Sequence, residues 1–423
     1  MNYDMIKTMA KLKPQTLKGF RDFLPEEMAI RQKIINTLKE VFESYGFQPL
    51  ETPALEYAET LLGKSGEETE KLAYIFKDQG GRRVGLRYDL TVPVSRVLAQ
   101  YQGQIPLPFK RYQIQNIWRA EKPQKGRYRE VTQCDIDSFG SVSPLADAEI
   151  IAVVDECLKK LGFKKFVIKI NSRQVLFKLM VNLNLGQEKQ LPIIRSIDKL
   201  DKMEIGEVKK ELSQKGLTNE KIEKLFSLIQ AAQPDENLEQ LFKYLKWLGI
   251  EEKYYRFEPT LVRGLDYYTG PIFEAVVEKP KIGSIVGGGR YDNLIADLGG
   301  PNVPATGVSF GLDRICDVIR EQNLWPDLSP TATKVLITIF SPEYLKNSIE
   351  IANQLRAEGI PTELYLDPNV KLEKQLKYAN QKEIPFVLIL GPEEISKNEI
   401  TIKNMETGKQ DRISQSDLST YFK

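Results

Sequence analysis

The segment from Phe109 to Phe139, FKRYQIQNIWRAEKPQKGRYREVTQCDIDSF, decides the fold of the larger part of the chain. Its outer runs, FKRYQIQNIW and EVTQCDIDSF, have the aromatic and β-branched residues of strands and flank a basic loop that contains glycine. The segment therefore predicts a β-hairpin. Further strand signals precede it, at Phe47 to Pro53, Tyr74 to Lys77 and Arg83 to Leu86. Together these segments predict an antiparallel sheet.

The hydrophobic pattern changes on both sides of this sheet region. From Pro25 to Tyr45 the apolar residues recur at helical spacing, which predicts an amphipathic helix. After Asn171 a stretch rich in lysine, glutamate and leucine keeps helical periodicity to about Tyr254, which indicates an inserted helical module. Strand signals then return at Phe273 to Glu278, Ile282 to Val286 and Ala305 to Phe310. We therefore expect the first domain to resume after the insertion.

The last part of the chain has a different order of elements. The strand-like runs VLITIF, TELYL and PFVLILG alternate with helical patterns at Glu343 to Glu358 and Leu372 to Lys382, and a polar strand EITIKN follows. This alternation predicts a small, mostly parallel α/β domain. The predicted domains are residues 1–171 with 256–323 for the sheet domain, 172–255 for the insertion and 333–423 for the α/β domain.

Composition narrows the class of protein. A length of 423 residues exceeds what one ordinary core holds, so we expect several domains. No apolar run approaches the roughly 20 residues of a membrane span. The formal net charge of +2 means that any nucleic-acid partner must be met by local basic patches. Neither a membrane span nor a global charge is therefore expected, and the cysteine usage predicts a reducing, cytoplasmic compartment.

The numbers and positions of cysteine and histidine limit the metal sites, disulfide bonds and catalytic bases that the protein can have. Cys134, Cys157 and Cys316 are far apart and form no CxxC pair, which argues against structural zinc and against a disulfide framework. Histidine is absent from the whole chain, so the commonest general base and metal ligand is missing. Any reaction must proceed without it.

Three segments pair an arginine with residues suited to holding polyanions. WRAEKPQKGRYRE presents Arg119, Glu121 and Arg127, and its alternative interpretation is a solvated hairpin tip. LVRGLDYYTG holds Arg263 before Tyr267 and Tyr268, which point to opposite faces if the segment is extended. Its alternative is a buried aromatic cluster beside a satisfied arginine.

The third segment, ATGVSFGLDRI, leaves one strand face bare through Gly307, Ser309 and Gly311, ahead of a helix that carries Arg314. Such a face admits a flat ligand close to the backbone or allows close sheet packing. The nearby IVGGGRYDNL fits neither a Rossmann fingerprint nor a P-loop. We interpret it as a turn that brings Arg290 and Tyr291 toward one pocket.

In their order along the chain these motifs resemble the signature of one family. LRYDLTVP, WRAE, GRYRE, RGLDYYTG, GGGRYD and GVSFGLDR are similar to the ordered motifs of histidyl-tRNA synthetases. The resemblance extends over essentially the full length. It implies an α+β catalytic domain with the antiparallel sheet of class II synthetases, a helical insertion and a C-terminal α/β anticodon-binding domain.

The resemblance also implies a role for each matching residue. Arg119 and Glu121 match contacts to the α-phosphate and adenine of ATP, and Arg119 is also among the residues implied to bind histidine. Arg127 and Arg314 match γ-phosphate contacts, and Arg263 matches the family's catalytic arginine. The implied histidine-binding residues are Asp89, Thr91 and Gln133 at the α-amino group, and Asp137, Tyr268 and Tyr291 around the imidazole. Tyr267 and Arg263 are also among the residues implied to bind histidine.

The implied function is the activation of histidine with ATP and its transfer to the cognate tRNA. The family's implied cofactors are ATP, which is a substrate, and Mg²⁺, whose ligands the sequence does not identify. The helix before Gly46 and the strand closing at Pro53 resemble the motif that forms a homodimer interface. One alternative is a synthetase-like regulatory or tRNA-sensing protein without catalysis. A nucleic-acid-binding scaffold is another, although it leaves the acidic and tyrosine residues unexplained.

The chain departs from the family at Val131, where an aromatic ring normally lies against adenine. We expect Val131→Phe to tighten ATP binding by on the order of 1 kcal/mol, because a ring offers more stacking area than valine. Equilibrium titration of ATP into both proteins measures the difference. A weaker affinity in the variant contradicts the assignment of this position to the adenine site.

Overall fold

The computed structural model describes residues 13–63, 72–123, 128–201, 203–262 and 267–422. The described residues form two compact units. Residues 33–325, with those before residue 23, form the first, and residues 23–32 with 326–422 form the second. None of the described helices has the length and apolarity that a bilayer crossing needs.

The secondary structure confirms most of the predicted elements. In chain order the strands β1 to β16 are Gln48–Pro49, Leu55–Tyr57, Tyr74–Lys77, Arg83–Leu86, Phe109–Trp118, Glu130–Phe139, Phe166–Ser172, Tyr255–Phe257, Pro271–Val277, Ser284–Arg290, Ala305–Gly311, Val335–Ile337, Thr362–Leu364, Phe386–Ile389, Glu399–Asn404 and Gln410–Ser414. The described α-helices, α1 to α15, are Pro25–Ser44, Ala58–Leu62, Thr91–Gln100, Pro144–Lys160, Arg173–Asn182, Gln187–Ile197, Ile205–Gln214, Asn219–Gln230, Glu236–Trp247, Leu294–Asp297, Leu312–Glu321, Leu345–Ala357, Leu372–Gln381, Pro392–Lys397 and Leu418–Phe422.

The first unit is built on an eight-stranded sheet in the order β1-β5-β6-β11-β10-β9-β7-β8. All pairings from β5 to β7 are antiparallel, and the edge strands β1 and β8 pair in parallel with β5 and β7. A smaller antiparallel sheet has the order β2-β4-β3. The antiparallel sheet predicted from the 109–139 hairpin is therefore confirmed.

The two faces of the large sheet differ in chemistry because side chains alternate along each strand. One row across the sheet, Phe273, Gly288, Val308, Ile136 and Tyr112, is apolar and faces the helices. Phe42 of α1 covers part of this face, with its ring 5.8 Å from that of Tyr112 and 5.5 Å from that of Phe310. The next row contains Gly307, Asp137 and Arg111 and belongs to the opposite, polar face.

Five amphipathic helices, α5 to α9, follow Asn171 and confirm the predicted helical character of this stretch. The apolar faces of α5 to α8 meet in a common core, whose fully buried members include Leu176, Ile193, Leu212 and Leu225. The last helix, α9, packs against α4 of the sheet domain. Caps fix the starts of α8 and α9, since the side chains of Thr218 and Asp235 accept hydrogen bonds from backbone N–H groups of the first helical turn.

The second unit has a five-stranded sheet in the order β13-β12-β14-β15-β16. Pairings among β13, β12 and β14 are parallel, whereas β15 and β16 are antiparallel. The prediction of a mostly parallel domain is therefore wrong: the sheet is mixed. Strand β16 was not predicted from the sequence, because QDRIS has little of the apolar alternation that marks a strand.

Two strand predictions of the first unit are also corrected. The strand expected from Phe47 to Pro53 is reduced to Gln48–Pro49, and farther along the Thr52 amide bonds the Gln115 side chain instead of a backbone carbonyl. Prolines 49 and 53 have no N–H to continue a ladder. The strand expected to end at Val286 runs on to Arg290, so the glycines of IVGGGRYD lie inside a strand and form no turn.

Close strand packing requires glycine at position 288. A Cβ atom on Gly288 would lie 2.0 Å from the carbonyl oxygen of Gly307 and 2.6 Å from Cα of Val308. Both atoms belong to the backbone and cannot rotate away. Any larger residue at position 288 must force β10 and β11 apart.

We therefore expect Gly288→Ala to lower the free energy of unfolding by on the order of 3 kcal/mol, because overpacking here displaces the backbone. Gly206 of α7 is the matched control, since a Cβ atom added there would have no other atom within 4 Å. Gly206→Ala should raise the free energy of unfolding by about 0.5 kcal/mol through its helix propensity. Denaturant titration measures both, and equal stabilities in the two variants contradict this account of the packing.

Candidate active site

The polar face of the large sheet holds a lattice of charged and amide side chains. On β5, Arg111, Gln113 and Gln115 lie directly opposite Asp137, Asp135 and Gln133 of β6. Directly opposed residues of antiparallel strands project to the same side. On the other flank of β6, Gly307, Ser309 and Gly311 of β11 continue the same three rows.

Asp137 lies at the centre of the most buried row. An Arg111 nitrogen lies 2.7 Å from its Oδ2, and the Tyr291 hydroxyl donates to its Oδ1. A Cβ on Gly307 would lie 2.0 Å from this same Oδ1, so the carboxylate lies over a bare glycine. Burial raises the pKa of Asp137, while the Arg111 charge and the tyrosine hydrogen bond oppose that shift. The bare strand face at Gly307 is thus covered by a carboxylate of the chain itself.

Three tyrosines lie beside this carboxylate. The ring of Tyr267 is 4.9 Å from that of Tyr268 and 5.8 Å from that of Tyr291. The condition under which Tyr267 and Tyr268 would point to opposite faces, a strand through this segment, is not met, because the two residues precede β9 and do not lie in a strand. Tyr268 lies against the bare Gly289 of β10, whose Cβ position would be 3.0 Å from the ring.

Asp89 approaches from the segment that precedes α3. Its Oδ1 accepts a hydrogen bond of 3.0 Å from the amide of Val92, and burial raises its pKa to about 6. Thr91, at the start of the helix, shares a hydrogen bond with Tyr267, which joins this segment to the tyrosines. Arg119 donates to the carbonyl of Tyr88 at 3.0 Å, and its charge favours the ionised form of Asp89.

Several buried oxygens of this region lack a hydrogen-bond partner within the described part of the chain. They include Asp89 Oδ2, Gln133 Oε1 and Asp135 Oδ1. Each is an acceptor, and unpaired buried acceptors are costly in free energy. A ligand that carries N–H donors, such as an ammonium group, would satisfy them.

Of the other expected nucleotide-site residues, Arg314, Glu121 and Val131 lie in the described part of the chain. Arg314 donates to the carbonyl of Ser284 at 2.7 Å, beside Gly283 at the start of β10. The carbonyl of Glu121 accepts from Arg129 at 3.1 Å, after the end of β5. Val131 lies on the polar face opposite Ile117. Arg127 and Arg263 lie outside the described residues.

Arg290 and Tyr291 do not share a pocket as predicted. Successive residues at the end of β10 point to opposite sides, so Tyr291 reaches Asp137 whereas Arg290 turns away. The Arg290 guanidinium lies 2.6 Å from Asp147 in the first turn of α4 and donates to the carbonyl of Ser141 at 2.8 Å. Arg290 therefore ties a helix terminus to the sheet.

Four residues of the lattice, Arg111, Gln113, Gln115 and Asp135, were not identified from the sequence. Their signal is present, because polar residues occupy every second position in RYQIQ and QCDID, two strands whose other face is largely apolar. Only the register of the hairpin shows that the two polar faces coincide. Arg111 is fully buried, an unusual position for arginine without a partner.

The described residues contain no group of three or more cysteine, aspartate or glutamate side chains arranged to hold a metal ion. This donor set fits a magnesium ion bound mainly by substrate phosphates and water, with one or two carboxylates at most. It does not fit a metal enclosed by protein ligands alone.

Removing Arg290 should damage the fold, because Asp147 would remain buried without its charge partner. We expect Arg290→Met to lower the free energy of unfolding by about 3 to 5 kcal/mol, as for other broken buried pairs. Arg82→Met, which removes an exposed pair with Asp78, serves as the control and should leave stability unchanged. If both variants unfold at the wild-type denaturant concentration, Arg290 does not anchor α4.

Comparison with known proteins identifies the family to which this constellation belongs. The family described as histidyl-tRNA synthetase matches residues 19–315, and the anticodon binding domain family matches residues 334–423. Histidine–tRNA ligases of Gloeobacter violaceus and Aeropyrum pernix are each 40% identical to this chain, covering 94% and 95% of it and 96% of each relative.

Solved structures agree with the sequence relatives. A crystal structure of histidyl-tRNA synthetase from Nostoc sp. PCC 7120 superposes with a TM-score of 0.86 at 28% identity, covering 97% of this chain and 99% of that one. The family matches and the full-length relatives therefore agree with the sequence motifs and with the antiparallel sheet. The chain belongs to the histidyl-tRNA synthetase family.

Proposed function

We propose that the chain activates histidine with ATP to form histidyl-adenylate and transfers the histidyl group to the 3′ end of its cognate tRNA. The observation that carries this proposal is the acceptor-lined site on the polar sheet face. Its buried oxygens on Asp89 and Gln133 require N–H donors, and Asp137 with its tyrosines forms a second polar end. A free amino acid with a basic ring has donors at both ends.

In this proposal the α-ammonium group lies between Asp89, Thr91 and Gln133. Asp89 is suited to this position because its buried Oδ2 has no hydrogen-bond partner among the described residues. Its Oδ1 already accepts a hydrogen bond from the backbone amide of Val92 at the start of α3. A charge-assisted hydrogen bond to a buried carboxylate is stronger than a neutral one. The ammonium group would therefore donate the hydrogen bonds that the buried oxygens of Asp89 and Gln133 lack.

The imidazole would lie at the other end, where Asp137 accepts a ring N–H. Tyr291 fixes the carboxylate by its hydrogen bond, and Arg111 fixes it by an ion pair. Tyr267 and Tyr268 then supply the aromatic walls. An amino acid without a ring N–H cannot form this hydrogen bond to Asp137, and sites that select by hydrogen bonding discriminate better than apolar ones.

The activation step requires alignment more than acid–base catalysis. The histidine carboxylate oxygen attacks the α-phosphorus of ATP, the bond to the bridging oxygen breaks, and pyrophosphate leaves with the electron pair. Arg119 and Arg263 are the proposed catalytic residues, since cations stabilise the crowded phosphate. Glu121 would contact adenine, and Arg127 and Arg314 would bind the γ-phosphate.

Magnesium, when bound, would neutralise phosphate charge during this step. The described donor set fits such an ion only as one shared with the phosphates. The protein's own contribution is the placement of the arginines.

The remaining parts of the chain would serve tRNA. We assign residues 1–171 and 256–323 to catalysis, 172–255 to the acceptor arm and 333–423 to the anticodon. We also propose a homodimer formed through α1 and the following strand, as the family resemblance implies, and a cytoplasmic location, where charged tRNA is used. A non-catalytic regulatory relative is disfavoured, because the chain keeps both the site residues and the anticodon binding domain match.

Histidine-dependent exchange of labelled pyrophosphate into ATP tests the proposal. The wild-type chain should catalyse exchange with histidine and with no other standard amino acid. Asp137→Asn should lower kcat/KM for histidine by roughly 10- to 100-fold, the loss expected for one hydrogen bond to a charged group. Asp155→Asn is the control: its carboxylate pairs with Lys159 on α4, and exchange should remain at the wild-type rate.

A chain that binds histidine and ATP but catalyses no exchange would match the regulatory alternative. Equal kinetics in the Asp137→Asn and Asp155→Asn variants would contradict the assignment of Asp137 to the imidazole.

A further inference from the structure

Asp135 is a buried acid of the site to which the family resemblance gives no role. It lies between Gln133 and Asp137 on the polar face of β6, with Gln113 opposite on β5 and Ser309 opposite on β11. Its side chain is almost fully buried, and its Oδ1 has no hydrogen-bond partner among the described residues. This oxygen belongs to the same acceptor set as those of Asp89 and Gln133.

The charges that the described part of the chain places around Asp135 do not balance. Among the described residues, the charged groups that act on it are Arg111, which stabilises its ionised form, and Asp137 and Asp89, which oppose it. The three buried carboxylates of Asp89, Asp135 and Asp137 thus share one fully buried guanidinium, that of Arg111. The charge of Arg119 favours the ionised form of Asp89. At neutral pH one acid of such a cluster holds a proton unless another cation enters.

We propose that Asp135 is the acid that holds this proton in the unliganded protein and loses it to solvent when the substrate ammonium enters, so that histidine binding is coupled to proton release. This inference rests on the proposed function, because it takes histidine as the cation. The ammonium group replaces the proton as the charge that balances the cluster. No bond of the substrate changes in this step.

The direction of the pH effect follows from linkage. Burial raises the pKa of Asp135 to about 7 and that of Asp89 to about 6, with the neighbouring carboxylates adding to the shift. A bound cation favours the ionised acid and lowers its pKa, so binding releases protons and affinity increases with pH. Affinity should therefore be lowest below pH 6 and level off above pH 8.

The experiment is calorimetric titration of the full-length chain with a triazole analogue of histidine. Its ring does not protonate near neutrality and its ammonium group stays charged, so any proton exchanged comes from the protein. Heats measured at pH 7 in two buffers of different ionisation enthalpy give the number of protons released. Asp135 alone should contribute about half a proton, since an acid with a pKa of about 7 is half protonated at that pH.

Asp135→Asn removes the titrating group with little change in shape and should lower the proton count by that amount. Asp155→Asn is the matched control, because burial also raises the pKa of Asp155 but its partner is Lys159. The control should release as many protons as the wild type. An unchanged count in Asp135→Asn overturns the inference.

A second measurement protects the test against misfolding of the Asp135→Asn variant. The dissociation constant of the wild-type chain for the analogue, followed from pH 6 to pH 8, should fall several-fold as pH rises. A flat profile also overturns the inference. Failure of histidine itself to bind at any pH overturns the proposed function instead, which separates the two outcomes.

Discussion

The buried ion pair between Arg111 and Asp137 is the interaction on which the rest of the site depends, because neither group is stable there alone. An isolated buried carboxylate takes up a proton, and a guanidinium cannot lose one, so it would retain an uncompensated charge. Arg111 also donates to Gln113 and to the carbonyl of Leu90. One buried side chain therefore joins the central hairpin to the segment that carries Asp89.

The Arg111–Asp137 pair requires space over the neighbouring strand, and only glycine leaves that space free. The Asp137 carboxylate lies over Gly307, and Tyr268 lies over Gly289, in the two strands that flank each other at the centre of the sheet. A side chain at either glycine would occupy the position of a site residue. Strands β10 and β11, whose many glycines resemble a loop in sequence, thus form the surface against which the site residues pack. Their function comes from rigid packing, since a glycine turn would not hold a carboxylate in place.

Local signals in the sequence were sufficient for most elements but not for the contacts that make the site. The hairpin strands Phe109–Trp118 and Glu130–Phe139 were predicted to the residue, because alternation and a polar turn are local properties. Register is not local, so the pairing of Arg111 with Asp137 could not be predicted. The same limit explains Arg290, whose partner Asp147 lies 143 positions earlier in the chain.

The family motifs identified part of the site that local signals could not. They match Asp89, Gln133 and Asp137 whether or not the strand pairing is known. They could not identify Asp135, because a motif records which residues recur and not which charges remain unbalanced after burial. That imbalance exists only when β5, β6 and the Asp89 segment are brought together. Charge balance is a property of the folded cluster.

The absence of histidine from all 423 positions is consistent with this chemistry. The attacking oxygen belongs to a carboxylate that is already ionised, so no imidazole base is needed. Burial instead moves the carboxylates of Asp89 and Asp135 into the range of pH where histidine normally titrates. In the proposed reaction the substrate then brings the only imidazole. A site whose acids titrate near neutrality can respond to the charge of that substrate, which a site of fully ionised surface carboxylates cannot do.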